Sequence, residues 1–306
     1  MQLKMSKILV SGGTGFLGRA LVEQLGTLGH EVTVLSRSAT RLPKGAAHIY
    51  AYDPLAAGEW FRHVDGQDAV VSLAGERAVG VRYTEVNKAR IRDSRVRGTE
   101  HLVQAIAQAK VKPQVFLSAS AVGYYGSELG EEPCTESSAP GNDFLASVCV
   151  EWEARAKAAE ACGVRVGLMR FGVILGTGGG ALPALVRPFQ MFVGGEVGSG
   201  EQYFSWIHIA DVVGTIEHLL FATDAFGAFN VTAPAPVKNR ELTRELGRVL
   251  DRPTLLKAPG FALKLVLGEG AAPLLGGRPV LPTRLSERGF KWKYPDLAAA
   301  LGNLLG

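Results

Sequence analysis

The chain has 306 residues, a formal net charge of +4 and three cysteines. That length buries a sizeable core and suits one large domain or two lobes. The small positive balance gives no case for nucleic acid, Cys134, Cys149 and Cys162 lack the spacing of a disulfide framework or a zinc site, and no apolar run reaches membrane-spanning length. The expectation is a protein of a reducing compartment, the cytoplasm, with no metal and no membrane or nucleic-acid partner. Met1 to Lys7 carry no apolar core ahead of the first strand, so no signal peptide is read there. Met5 is an alternative start, with the residues before it an irregular extension.

Ile8 to Val10 read as the end of a buried parallel strand, and Gly12, Gly15 and Gly18 follow at G-x-x-G-x-x-G spacing. A helix comes next, with Leu17, Leu21, Val22, Leu25 and Leu28 on one face. Strand, glycine turn and helix in that order make a phosphate cradle. Glycine permits the tight turn and a close approach of pyrophosphate, and the helix N-terminus offers free N–H groups and partial positive charge. A purely structural turn is the competing reading.

Glu31 to Leu35 is a second strand. An acidic residue after it would accept a ribose 2′-OH, but the chain reads Ser36-Arg37-Ser38, with Arg41 close behind. A guanidinium among hydroxyls suits a 2′-phosphate and so favours NADP over NAD. His48 to Tyr52 is a short strand. Asp68 to Leu73 is an apolar strand ending in Ala74-Gly75-Glu76, small enough for a cofactor to lie over.

Tyr83 to Ala109 is mostly helix. Its arginines, Arg90, Arg92, Arg95 and Arg97, read as a solvated face paired with Asp93 and Glu100, although one of them is placed to reach a phosphate and Ser94 to point inward. Val115 to Leu117 is the next strand, followed by the hydroxyl-rich run Ser118 to Gly126. Ser120 is a candidate donor to a substrate oxygen, and Tyr124 or Tyr125 a candidate weak acid; packing tyrosines in a polar loop are the alternative. Asp143 is placed to cap the helix that runs through Trp152 to Ala161, and Val164 to Met169 is a sixth strand.

The texture then changes. Gly176 to Gly180 and Gly194 to Gly200 are glycine-rich and flank an apolar helix, Pro183 to Phe192, which suits a lid or second lobe. Tyr203 to Asp211 returns to strand, Val212 to Phe221 to helix, and Phe229 to Thr232 to strand. Glu241 to Leu250, Phe261 to Leu267 and Pro295 to Leu305 are helical. The fold expected is α/β: a Rossmann doubly wound parallel sheet over residues 5–175, completed by 203–232, with a smaller substrate lobe from 176–202 and 233–306.

GGTGFLG, LAGE, SASAVGYYG and SWIHIADVV together resemble the extended short-chain dehydrogenase/reductases. CVEWEARA, RFGVILGTGGGALPAL, FNVTAPAPV and RLSERGFKWKYPDLAAAL narrow the resemblance to an atypical "epimerase family" group, over nearly the whole chain. The resemblance implies a Rossmann lobe for NADP(H) and a small-molecule substrate of unspecified identity. By position it implies Thr14, Gly15, Phe16 and Leu17 at the pyrophosphate, within the Gly12–Gly18 turn, and Arg37 and Ser38 at the 2′-phosphate. It likewise implies Leu73, Ala74, Gly75 and Glu76 along the ribose with Arg82 nearby, Ser118 beside the nicotinamide, and Val173 at its far end. Proteins of this type often pair through helices beside the sheet, which leaves a homodimer open.

One departure matters. The wider superfamily uses Y-x-x-x-K, a tyrosine acid/base whose pKa a lysine lowers while holding the nicotinamide ribose. No tyrosine here has lysine four positions on; aligned on Glu153, Leu145 stands for the tyrosine and Cys149 for the lysine. Cys149 reads as a small buried thiol rather than a redox group. Two functions stay open: an NADP-dependent oxidoreductase or epimerase with relocated acid/base chemistry, or a module that holds NADP(H) without turnover. Ser120 and Tyr124 lead as catalytic candidates, ahead of Tyr125, Glu76 and His208, the last read as a structural histidine.

Overall fold

The computed structural model describes residues 5–306; the reading of an extension ahead of Met5 lies outside them. In chain order the first elements are β1 (Lys7–Ser11), α1 (Phe16–Thr27), β2 (Glu31–Ser36), β3 (His48–Ala51), β4 (Ala69–Ser72), α2 (Glu85–Gln108), β5 (Val115–Ala121), α3 (Phe144–Lys157) and β6 (Arg165–Phe171). There follow β7 (Val173–Leu175), α4 (Leu182–Gln190), β8 (Gly195–Val197), β9 (Tyr203–Phe204), β10 (Trp206–His208), α5 (Ile209–Phe221) and β11 (Gly227–Val231). The remainder comprises β12 (Val237–Lys238), α6 (Asn239–Leu250), β13 (Leu256–Ala258), α7 (Gly260–Leu267), α8 (Ala272–Leu275), α9 (Thr283–Glu287) and α10 (Leu297–Leu305).

Seven strands form one parallel sheet in the order β11-β6-β5-β4-β1-β2-β3. The chain starts in the middle, winds outward to β3, then reverses through β4 to β11. Such a sheet is buried on both faces, which is why its strands read as unbroken apolar runs. On one face α1 and α5 bury Leu21, Val22, Leu25, Val212, Ile216 and Leu219 against Ile8, Val10 and Val34. On the other, Leu102, Ala105 and Ile106 of α2 and Ala156 of α3 cover Leu9, Val70 and Phe116. The doubly wound α/β expectation is borne out.

A separate apolar cluster joins Leu182, Val186 and Phe189 of α4, Trp206, Leu242 and Leu246 of α6, and Leu297, Ala300 and Leu301 of α10. Small sheets accompany it: β7 with β10, β9 with β12 and β8 with β13. Among the described residues no helix is long and apolar enough to cross a membrane.

Two element readings are corrected. The strand expected to stop at Leu117 runs on to Ala121, because Ser118 and Ser120 turn their hydroxyls to internal acceptors, the Ala119 carbonyl and Glu153. The strand expected from Tyr203 to Asp211 breaks at Ser205 and ends at His208, whose Nδ1 accepts from the Ala210 N–H and starts α5 three residues early. Other caps match their residues. Asp143 accepts from Ala146 N–H at 2.9 Å to open α3, and Gly29, at φ +85°, follows the end of α1.

The first turn is a tight joint. Gly12 sits at φ +77°, and a Cβ there would lie 2.9 Å from the backbone nitrogen of Ala74. A Cβ on Gly18 would run into the Gly12 carbonyl oxygen, which is rigid backbone. Gly18→Ala is therefore expected to destabilise the chain by about 1–3 kcal/mol despite alanine's better helix propensity. Urea unfolding followed by circular dichroism checks this; unchanged stability would mean that α1 shifts freely away from the turn.

Candidate functional site

Because all seven strands of the main sheet run parallel, their carboxyl ends share one edge, where ligands of such sheets collect. The β1–α1 turn opens onto it. Gly15 N–H closes the turn on the Gly12 carbonyl at 2.9 Å, and Gly12 N–H bonds to Leu35 O at 3.0 Å. No side chain caps α1, and no acidic residue stands in its first turn. The N–H groups of Phe16, Leu17 and Gly18 accordingly find no acceptor among the described residues. Thr14 is tied to the β2 end by a 2.9 Å hydroxyl pair with Ser36. The Phe16 ring packs under Gly176, Gly179 and Gly180, so the glycine-rich stretch after β7 lies over the start of α1.

Arg37 and Ser38 are exposed just past β2. The Arg37 guanidinium donates to the Glu76 carboxylate at 2.7 Å, spanning from the β2 end to the loop after β4. Ser38 stays local, its hydroxyl 3.2 Å from that of Thr40. Leu73, Ala74, Gly75 and Glu76 form the loop leaving β4, which abuts the Gly12 turn. Ser94 and Arg95 of α2 fasten it: Glu76 N–H donates to the Ser94 hydroxyl at 3.1 Å, and Arg95 donates to the Glu76 carbonyl at 2.9 Å. Ser94 does point inward. The arginine face is otherwise solvated, with Arg97 near Asp93 at 3.9 Å and Arg92 paired with Glu151, whereas Glu100 pairs with Arg155 of α3 and Arg95 turns inward. Arg82 is exposed in the loop before α2, and Val173 is half-buried in β7, its N–H held by the Ser205 carbonyl.

The strongest polar construction lies between β5, α3 and β6. Glu153 and Arg170 are 5% and 4% exposed and pair in two parallel bonds, Nε to Oε1 and Nη2 to Oε2, both 2.8 Å. The Ser120 hydroxyl donates to Glu153 at 2.7 Å. Arg170 also donates to the Tyr125 hydroxyl at 2.9 Å, which donates onward to Asn230 at 2.7 Å. Burial opposes the Arg170 charge, but the Glu153 carboxylate and Tyr125 outweigh it and raise its pKa. Burial pushes the Tyr125 phenol up to about 12, against the pull of Arg170. The half-buried Tyr124 ring lies over the Arg170 guanidinium, 3.5 Å to the centroid, and its hydroxyl has no protein partner among the described residues. The two leading catalytic candidates thus meet the same ion pair in different ways: Ser120 has its proton committed within the core, and Tyr124 keeps its own. Ser118 is fully buried, its hydroxyl on the Ala119 carbonyl.

Sequence reasoning used Glu153 only to align α3 and missed Arg170 and Asn230. The signal was there in VRVGLMRF, since a charge at the end of a buried strand needs a partner. Leu145 packs against Gly123, and Cys149 lies under Ala121, its Sγ 3.9 Å from that carbonyl. Burial, then the Glu153 charge, pushes the Cys149 thiol up to about 12, as expected for a structural cysteine. His208 is buried, caps α5 and lies tilted against the Tyr294 ring, 4.0 Å between centroids. Among the described residues no cluster of metal-ligating side chains exists.

Residues 8–232 match the model of the NAD dependent epimerase/dehydratase family. The chain belongs to that family. Residues 258–304 match a further family described as Domain of unknown function (DUF1731). The chain is 44% identical to the Arabidopsis thaliana chloroplastic homologue of epimerase family protein SDR39U1, over 96% of this chain and 85% of the relative. It is 35% identical to human SDR39U1, over 98% and 99%, and 37% identical to Bacillus subtilis epimerase family protein YfhF, over 97% of each. The crystal structure of human SDR39U1 isoform 2 with NADPH superposes with a TM-score of 0.87 at 34% identity, covering 98% of this chain and 99% of that one. Leu145 and Cys149 precede Glu153 by eight and four residues on α3.

Two outcomes follow from the burial. Glu153→Gln leaves a buried guanidinium without its anion, and urea unfolding should register a loss of about 3–5 kcal/mol; a loss below about 1 kcal/mol would show water already reaching the pair. In alkylation at pH 8 followed by mass spectrometry, native Cys149 should stay unmodified while the partly exposed Cys162 is labelled; rapid labelling of Cys149 would contradict its burial and raised pKa.

Proposed function

We propose that the chain binds NADP(H) across the carboxyl edge of its sheet and acts as an oxidoreductase or epimerase-like enzyme on a small molecule. The observation that carries this reading is the uncapped α1 turn beside an arginine, with no acid at the β2 end. Gly12, Thr14, Gly15, Phe16, Leu17 and Gly18 form the pyrophosphate cradle, and the free N–H groups of α1 face the charge it needs. Arg37 and Ser38 meet the 2′-phosphate, for which Arg37 gives up its exposed pairing with Glu76. Leu73, Ala74, Gly75 and Glu76 lie along the ribose, with Arg82, Ser118 and Val173 toward the nicotinamide half. The human relative crystallised with NADPH supports the choice of cofactor.

When bound, the cofactor supplies or accepts the hydride. The protein's task is then to orient the substrate and move one proton. Tyr124 is the group available for that, a phenol with an uncommitted hydroxyl whose ring is fixed on Arg170. Ser120 serves by holding Glu153, and so the platform under Tyr124. A second reading, NADP(H) binding without turnover, draws on Leu145 and on the Cys149 thiol, neither of which transfers protons at neutral pH.

Titration calorimetry checks the cofactor assignment. Arg37→Ala should weaken NADPH by about tenfold or more and NADH by less than about threefold; equal losses would sink the 2′-phosphate role. Incubation of the NADPH-loaded protein with a panel of carbonyl compounds and nucleotide sugars separates the two readings. Turnover that falls at least about 100-fold in Tyr124→Phe supports the enzyme, and no oxidation or isomerisation across the panel supports the binding module.

A further inference from the structure

Arg95 is an inward-turned cation with no carboxylate in salt-bridge contact among the described residues. Its guanidinium reaches from α2 into the corner between the β4 loop and α3, where it lies over the Trp152 ring at 5.3 Å. It lies against the backbone of Gly75, where a Cβ would meet its Cζ at 3.4 Å. Three bonds are made: Nη1 to the Ile91 carbonyl at 3.1 Å and to the Ser94 hydroxyl at 3.5 Å, and Nη2 to the Glu76 carbonyl at 2.9 Å. A guanidinium has five N–H groups. Nε–H and one Nη2–H therefore have no partner among the described residues. The nearby Glu76 carboxylate is taken by Arg37 on the far side of the loop. Burial lowers the Arg95 pKa, with only weaker opposing pulls from Cys149, Tyr83 and Glu76. Holding a cation there without a carboxylate is costly, and three neutral acceptors are weak compensation.

The order of the sheet shows what passes this corner. Arg37 stands past β2 and the cradle past β1, while β4 and β5 lie on the other side of β1. A dinucleotide whose 2′-phosphate meets Arg37 and whose pyrophosphate meets α1 carries its second ribose toward β4 and β5. The α3 side chain at that place is Cys149, a neutral thiol under Ala121 that holds no ribose hydroxyl as a cation would. Arg95 exerts its charge on the same spot, pulling the Cys149 pKa down against burial.

We propose that Arg95 is the cation that holds the nicotinamide-ribose half of the cofactor, reaching from α2 a place that α3 leaves uncharged. Its free N–H groups are donors for the ribose hydroxyls, and its bond to the Glu76 carbonyl keeps the β4 loop in place beneath them. This inference rests on the NADP(H) reading above.

The test compares NADPH with adenosine 2′,5′-bisphosphate, which has the adenine and 2′-phosphate but no nicotinamide ribose, by titration calorimetry. Arg95→Gln should weaken NADPH about tenfold or more and leave the bisphosphate within about twofold of wild type. Retained bisphosphate affinity also shows that the variant is folded. Adding Cys149→Lys to Arg95→Gln should recover NADPH affinity, which a merely structural arginine would not allow. Equal loss of both ligands makes Arg95 a clamp for the β4 loop and overturns the proposal, as does no loss of either. Should Arg95→Gln fail to fold, Arg95→Lys decides: it must weaken NADPH more than the bisphosphate, and equal affinities overturn the proposal. Wild-type protein that binds neither ligand overturns the NADP(H) reading, whereas wild type that binds both, with no selective loss in the variants, overturns only the role of Arg95.

Discussion

The Glu153–Arg170 pair is the constraint on which the site depends. Two charges this deeply buried are worth little as net stabilisation, because their attraction is offset by desolvation. Their effect is positional. The forked geometry accepts one arrangement of α3 against β6; Ser120 donates to Glu153, and Arg170 also donates to Tyr125 and the Glu136 carbonyl. With Glu153 fixed, the side chains four and eight residues earlier share its face of the helix. Those are Cys149 and Leu145, and they meet Ala121 at the end of β5 and Gly123 in the turn after it. One ion pair thus decides which side chains α3 presents to the carboxyl edge of the sheet.

The opposite half of the edge is organised by close backbone approach rather than by charge. Gly12 brings the first turn against the β4 loop, and Gly18 lets α1 begin directly above the turn. The charges are then laid over this frame at the surface. Arg37 and Glu76 meet across the end of β1 at 75% and 44% side-chain exposure, where an ion pair is weak and a better anion displaces the carboxylate readily. The deep pair resists exchange and the shallow one permits it. That contrast suits a scaffold on one side and a ligand contact on the other.

The sheet was legible because a buried parallel strand has a signature of its own. ILV, EVTVL and DAVVSL are continuous apolar runs at the spacing of strand–helix units, and Gly12, Gly15 and Gly18 mark the first turn. Asp143 was legible as a cap for the same local reason. The end of β5 was not: Ser118 and Ser120 look like loop residues until their partners are known, and the partner of Ser120 is 33 positions away. Arg170 stands out in sequence only as a charge at the end of an apolar strand, and its partner Glu153, in another element, is not readable there. Arg95 and its neighbours on α2 look alike in sequence, and only the packing of α2 on α3 separates the inward arginine from the solvated ones. For Ser120, Arg170 and Arg95 alike, what escaped sequence reasoning was a polar contact made to another element.

The binding edge and the chemistry are therefore built from different parts. The cradle needs backbone N–H groups and glycines, which a strand–turn–helix supplies whatever α3 carries. Proton transfer in the wider superfamily is expected to need a tyrosine and a lysine on α3, and this chain keeps the helix and its anchoring glutamate but puts Leu145 and Cys149 at those two places. Neither residue takes part in the Glu153–Arg170 pairing that anchors the helix. A phenol on the turn after β5, fixed by its ring on Arg170, and a guanidinium from α2, fixed by the β4 loop, reach the same edge of the sheet from other elements. The hydrogen bonds and the ring contact that hold them do not involve Leu145 or Cys149, so their placement does not depend on what α3 carries at those two positions.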